Sequence, residues 1–510
     1  MKLFLIALCV FLFALTIRLW NLNMMGRVWD EQSLLEKGYI LTELIKKGDF
    51  SNSFWYKDGA DHPPFAFYFF GVASYADLIK YDPNALSAFS PNSKGAPVFH
   101  YDVTYGRLVS VVVSSLAVLL VFLIGARYFS TFIGIVSSII LAIMPHFLGY
   151  SQLVELESWV MLSFTACVFC YLLYLETGKK FFLIFTGILT GLAIEIKQPN
   201  ILLVIFYVTT FYAWKKITKK KTITLSHFVI LGIITLLASF IVYPMPWLHL
   251  PAYINYTSET WLKNNGLIPE LIFGRLMGAR WFYYIIAFFV TTPLIILLLT
   301  FLGIKVSLQK KKNWIYSAVL IWFIVPFLMS FFHIRQHMVR YIIEFYAPLA
   351  LLSAMGFEYL IKFFTKNKYI KYFMIVPLFA YLLFILLKIT PYYFDYYNEL
   401  VGGAKTVYDK HLFFLGWWGE GLKAPGMYIA RRASKNASIG LALNPGNTLY
   451  KSGNLRYETF TPHHKYEFVV LNAYAVTRIG FDENVLKKDY KIVYTEKADG
   501  ADLVYVYKHK

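Results

Sequence analysis

Apolar residues in this chain gather in long, nearly unbroken runs rather than at isolated core spacings. Runs at about 3–19, 107–126, 131–148, 158–175, 181–196, 199–214, 226–243, 281–303, 313–331, 341–360 and 371–389 each approach the ~20 residues that cross a bilayer. They predict eleven membrane-spanning helices. The first run has no small-residue cleavage site before Arg18, Trp20 and Asn21, so it reads as a retained helix rather than a signal peptide. Residues 21–106 are mixed in polarity. Within them Asp30 to Lys47 reads as an amphipathic helix, with Leu34, Leu35, Tyr39, Leu41, Leu44 and Ile45 on one face and Gly48 as its stop. His62-Pro63-Pro64 interrupts the chain, and Phe65 to Ile79 reads as an aromatic, interfacial helix. From about 436 the pattern changes to short strands, at Ser438–Leu443, Phe468–Leu471, Lys491–Thr495 and Leu503–Tyr507, separated by Gly and Pro turns. The expected organisation is a transmembrane unit over 1–390, with 21–106 as its first external loop. An external segment over 391–510 follows, ending in a small α/β domain from about 436.

Composition strengthens the membrane assignment. Of the 510 residues 58% are hydrophobic and 15% charged, where soluble proteins carry roughly 25% charged residues. The formal charge of +19 sits in short segments between alternate runs: Arg127, Lys179–Lys180, Lys215–Lys221, Lys305–Lys312 and Lys362–Lys371. That is the positive-inside pattern, and it excludes a nucleic-acid binder. It predicts an integral protein of the cytoplasmic (inner) membrane, with its N-terminus inside and 391–510 on the external or periplasmic face. The three cysteines, Cys9, Cys167 and Cys170, lie inside apolar runs and read as packing residues, not a redox or zinc motif.

The candidate chemistry sits at the external ends of the helices. Asp30 and Glu31 follow the first span, and an acidic pair there also suits a helix N-terminus. Glu155 and Glu157 border hydrocarbon where the third span ends, a costly position for acids. Lys197 ends an apolar stretch on the face that the positive-inside rule denies to a lone cation, and the bland alternative is a snorkelling anchor. His337 and Arg340 form a second cationic turn. Acids and cations at one membrane face suit a lipid-linked phosphate ester.

These residues stand in a recognisable order. Trp29-Asp30-Glu31, Lys47-Gly48-Asp49-Phe50 and His62-Pro63-Pro64 come first. Tyr105-Gly106-Arg107-Leu108, Gly125 to Phe129, and Gly191-Leu192-Ala193 leading to Lys197 follow. Arg340-Tyr341, Tyr396-Tyr397-Asn398, Gly402-Gly403 and Trp418 to Gly421 complete the series. Over about residues 1–435 it resembles the protein O-mannosyltransferase superfamily (glycosyltransferase family 39-like), which includes the lipid A aminoarabinose transferases.

The resemblance implies a polytopic C-type glycosyltransferase (GT-C) fold. It also implies inverting transfer of a sugar from a polyprenyl-phosphate or dolichyl-phosphate donor to a protein, lipid or glycan acceptor, amid membrane lipid. It puts Asp30 at the catalytic acid, with Glu31 as helper or cap, and Glu157, in competition with Glu155, at the second acid. Lys197, Arg340 and His62 fall to the donor phosphate; His62 departs from the lysine common there and needs protonation to add charge. An acceptor hydroxyl needs a carboxylate base, and a departing phosphate needs positive charge rather than an acid. No cofactor is required, although a divalent cation bridging Asp30 and Glu157 is compatible with the pattern. Two rival readings are a transporter or lipid flippase, and an oligosaccharyltransferase-like enzyme suggested by Trp417 to Gly421.

Overall fold

The computed structural model describes residues 1–57, 59–87, 94–220, 223–259, 269–278, 280–331, 337–364, 368–443 and 448–510. Trp261, Asn264 and Asn265, in the external loop 244–280 whose sequence suits either acceptor choice or an interfacial aromatic belt, lie outside them. The described residues form an α-helical membrane protein. Six helices are long and apolar enough to cross a bilayer: Lys2–Leu19, Thr104–Tyr128, Glu157–Thr177, Gln198–Thr218, Trp314–Phe331 and Arg340–Phe364. Two bent pairs, Thr131–Ile143 with Pro145–Ser151 (68°) and Tyr283–Thr291 with Leu294–Gln309 (116°), raise the number to eight.

The other three expected spans are helical but shorter, at Lys180–Ile194, Ser226–Val242 and Ile375–Ile389. The expected eleven are therefore not reached by length. The physical reasons are visible in the chain. Pro145 and Pro293 remove backbone donors where the two pairs bend, and helices of 15 to 17 residues rise only about 1.5 Å per residue against ~30 Å of hydrocarbon. The helix Leu225–Val242 turns Ile233, Leu236, Leu237 and Ile241 outward, as a lipid-facing surface requires.

In the first loop, the helix Glu31–Lys47 ends at Gly48 in the left-handed conformation. It crosses the helix Phe65–Asp77 where Gly38 meets Gly71. A Cβ on Gly71 would lie 2.0 Å from Thr42 Oγ1 and 2.3 Å from the Gly38 carbonyl, so only glycine permits the contact. Later in the same loop lies an antiparallel pair of strands, Leu78–Leu86 with Lys94–Phe99, that the sequence pattern did not reveal.

Arg107 ties the loop to the bundle. Fully buried, it donates from Nε to Glu31 Oε1 (2.8 Å) and from Nη2 to Glu31 Oε2 (2.6 Å), and Nη1 reaches the Leu22 carbonyl (2.8 Å). Glu31 also accepts the backbone N–H of Val28 (3.1 Å) and of Val154 (3.0 Å).

Beyond residue 436 the chain forms a five-stranded sheet in the order Arg456–Thr459, Ser438–Ala442, Phe468–Asn472, Ala501–His509, Tyr490–Ala498. The first three strands run parallel and the last two pair antiparallel. Each of the four expected strands has its counterpart here. The edge strand Arg456–Thr459 was not expected, because its mostly exposed side chains leave no alternating pattern.

Candidate active site

Five ionisable side chains from four distant parts of the chain meet at one place. Asp30 precedes the helix Glu31–Lys47 but makes no capping bond with its side chain. Its Oδ2 instead accepts from Arg340 Nη1 (2.9 Å) and from Trp418 Nε1 (3.2 Å). Glu155 and Glu157 come from the turn that joins Pro145–Ser151 to Glu157–Thr177. Arg340 donates from Nη2 to Glu155 Oε2 (3.0 Å) and from Nε to Glu157 Oε1 (2.9 Å). Lys197, just past the helix Lys180–Ile194, donates to the same Glu157 oxygen at 2.7 Å.

One guanidinium thus holds three carboxyl groups, a use of its rigid fork that a lysine ammonium could not reproduce. The Asp30 side chain keeps 27% of its surface exposed while those of Glu155 and Glu157 keep 1% or less. Asp30 is the acid that an incoming molecule can reach. Both bonds to it fall on Oδ2, so among the described residues Oδ1 carries none.

Trp418 closes the other side. Its indole lies over the Arg340 guanidinium at 4.4 Å and stacks on Trp417 (4.8 Å), which in turn stacks on His337 (4.7 Å). The turn that delivers it requires Gly419, at φ +87°, where a Cβ would meet Thr448 Oγ1 at 2.3 Å. The backbone N–H of Trp29 donates to the Trp418 carbonyl (2.9 Å), pinning the turn beside Asp30.

Three expectations are corrected. Glu31 is not in the site: its buried carboxylate is spent on Arg107 and two backbone N–H groups, so it is a structural acid. Lys197 is not a lone cation but the partner of Glu157, and Glu195 beside it turns away to Ser239. His62 adds no positive charge at neutral pH. Burial, with Lys37, Lys197 and Arg340 opposing another charge and Asp61 favouring it, holds its imidazole down at about 4. His337 also faces elsewhere, with Nδ1 at 2.8 Å from Glu270 Oε1.

Burial pushes the Glu155 carboxyl well above the usual carboxylate range; the charge of Arg340 opposes this and that of Glu157 adds to it. Asp30 and Glu157, the pair suggested for a divalent cation, are bridged by the guanidinium of Arg340. No group of three or more His, Cys, Asp or Glu among the described residues has the arrangement of a metal site. As they stand, these residues do not fit a bridging cation.

Sequence reasoning missed Trp418 as a site residue, although its motif was noted, and missed two buried groups. Tyr150 and Glu344, neither exposed by more than 1%, both lie within the field of the charged cluster.

Residues 95–247 match the family described as dolichyl-phosphate-mannose-protein mannosyltransferase. The crystal structure of ArnT from Cupriavidus metallidurans bound to undecaprenyl phosphate superposes with a TM-score of 0.50 at 14% identity, covering 99% of this chain and 98% of that one. The fold is the GT-C fold that ArnT shows.

Two further GT-C structures superpose less closely. The archaeal oligosaccharyltransferase AglB from Archaeoglobus fulgidus reaches 0.46 at 14% identity, over 75% of this chain and 54% of its own. The protein O-mannosyltransferase Pmt1-Pmt2 complex of S. cerevisiae reaches 0.35 at 19% identity, over 53% and 38%. No curated protein matches by sequence. The segment matched by the family contains Glu155, Glu157 and Lys197 and stops short of Arg340 and Trp418.

Proposed function

We propose that this GT-C protein transfers a sugar from a polyprenyl-phosphate donor to an acceptor hydroxyl, with inversion, on the external face of the membrane. The observation that carries the reading is Arg340, which gathers Asp30, Glu155 and Glu157 at the helix ends while Lys197 stands on Glu157. A carboxylate base and fixed positive charge are the two functions that such a transfer needs.

The reachable oxygen of Asp30 takes the proton as the acceptor oxygen attacks the anomeric carbon. The bond from that carbon to the phosphate oxygen breaks on the opposite face. The charge left on the phosphate is met by Lys197 and Arg340, fixed in a site shielded from water. Glu157, negative and close to both cations, suits stabilisation of oxocarbenium character at the sugar ring, as paired carboxylates do in glycoside hydrolysis.

Asp30→Asn tests the reading. The amide keeps the size of the side chain but removes the proton acceptor, so turnover should fall by roughly 100-fold or more with the fold intact. Mass spectrometry of lipid intermediates from cells carrying the wild-type gene, the variant or neither reads the outcome. A polyprenyl-phosphate sugar should accumulate in the last two and name the donor. Full activity of the purified variant would sink the mechanism.

A further inference from the structure

Two cavities adjoin where the helix Ile375–Ile389 approaches the terminal sheet, and Glu399 lines both. The first, of about 440 Å³, is a groove between that helix and the helices Leu294–Gln309 and Tyr346–Phe364. Its walls are apolar, with Leu294, Leu298, Leu360, Met374 and Leu378 among them. Leu298 is 53% exposed, so the groove opens on the outer surface of the bundle, where hydrocarbon surrounds it. The second cavity, of about 280 Å³, lies at the C-terminal end of the helix Ile375–Ile389 and carries Lys388, Tyr396, Glu399 and Asp499. Neither cavity includes a residue of the Arg340 cluster.

Charge in the second cavity is unevenly matched. Lys388 Nζ pairs with Asp499 Oδ1 at 2.8 Å and keeps half of its side chain exposed. Glu399 accepts from the Tyr381 hydroxyl (2.8 Å) and pairs with no cation among the described residues. Tyr396 is buried, and its hydroxyl has no partner among them, whereas buried polar atoms are nearly always bonded. One cation, two acids and an unbonded phenol thus stand at the end of an apolar groove.

A purely basic pocket selects an anionic lipid head group. Two acids beside one lysine disfavour a bare phosphate and favour a head group that carries a cation next to its phosphate. An acyl chain suits a groove that already faces hydrocarbon. We propose that the groove and pocket together bind a membrane phospholipid with a zwitterionic, amine-bearing head group, of the phosphatidylethanolamine type. Its phosphate accepts from Lys388 and the Tyr396 hydroxyl, its ammonium donates to Glu399 and Asp499, and one chain fills the groove. The lipid then joins the helix that carries Lys388 to the sheet hairpin that carries Asp499. The site does not rest on the transfer reaction proposed above.

The test titrates full-length protein, stripped of lipid in detergent, with phosphatidylethanolamine or phosphatidylglycerol and counts bound lipid by native mass spectrometry. The wild type should hold phosphatidylethanolamine about 10-fold more tightly, the scale of one charge-assisted hydrogen bond. Glu399→Gln should erase that preference. Leu298→Trp, which narrows the groove from its exposed wall, and Tyr396→Phe, which removes a donor to the phosphate, should each weaken both lipids. Glu399→Gln and Leu298→Trp should melt as the wild type does without lipid, since each alters an exposed side chain. A wild type without preference, one that prefers phosphatidylglycerol, or a preference that survives Glu399→Gln would overturn the proposal. So would displacement of the bound phospholipid by equimolar undecaprenyl phosphate, which would give the groove to a polyprenyl chain.

Discussion

Around Trp418 the chain buries carboxyl groups in two different ways. On one side Asp30, Glu155 and Glu157 share Arg340 and Lys197. On the other, Asp395 accepts the backbone N–H of Gly416 (2.9 Å) and Glu420 that of Trp418 (2.9 Å), with no cation among the described residues paired to either. Burial, and for Asp395 also the charge of Glu420, pushes both carboxyls up, Glu420 to about 7. The first set has counter-charges that oppose the effect of burial, although at Glu155 burial still prevails. The second set holds the Trp417–Trp418 turn by its backbone, and burial outweighs those bonds in favouring the neutral carboxyl. The same residue type is paired with cations in one place and held by backbone donors in the other.

The sharpest way to break that contrast is Arg340→Ala. It strands the buried Glu155 and leaves Glu157 to Lys197 alone, and loss of one partner from a buried ion pair costs about 3–5 kcal/mol. Thermal melting in detergent should fall steeply and transfer should vanish. Melting like the wild type would mean that the two sets do not differ in kind.

Glu420→Gln should have a smaller effect whose sign depends on pH. A carboxyl raised to about 7 in the folded protein from its ordinary 4.5 contributes stability that is fully present below about 4.5 and is lost as pH rises through about 7. The amide cannot ionise, so the variant should escape that loss, on the order of 2 kcal/mol between pH 5 and 8. Melting curves across that range would show it; parallel curves for both proteins would place the ionised carboxylate in the native turn.

His62→Gln should have the smallest effect at neutral pH and the opposite slope. An imidazole held down at about 4 leaves stability complete above its ordinary value of about 6.5 and loses it as pH falls toward 4. Replacing it should flatten the acid side of the stability profile. An unchanged acid limb would show that other groups set it.

The sequence announced some of this architecture and concealed the rest for physical reasons. Hydrocarbon demands continuous apolar runs, so each span expected from them has a helix in the structure. The break at Pro293 is legible as a proline, but its 116° bend depends on packing. The hairpin 78–99 hides because Lys80, Asp82 and Asn84 alternate with nothing buried, and a proline lies within each strand. In the site, Asp30, Glu155, Glu157, Lys197 and Arg340 were legible as costly charges at helix ends. Their pairing was not. Asp30 and Glu31 are neighbours in sequence yet serve different centres, because consecutive positions at a helix start point in different directions. Tyr150 was one tyrosine among 39 and gave no signal of its own.

The bond between Glu31 and the backbone of Val154 joins positions 123 residues apart. Asp30 and Glu155 each sit one residue from an end of that bond, and Arg107 braces it from beneath. The separation of the two acids is therefore a fixed gauge that survives rearrangement elsewhere. Across from it, Arg340 and the Trp418 indole are held by ion pairs, a ring contact and the backbone bond from Trp29. Both walls are therefore anchored from more than one part of the chain.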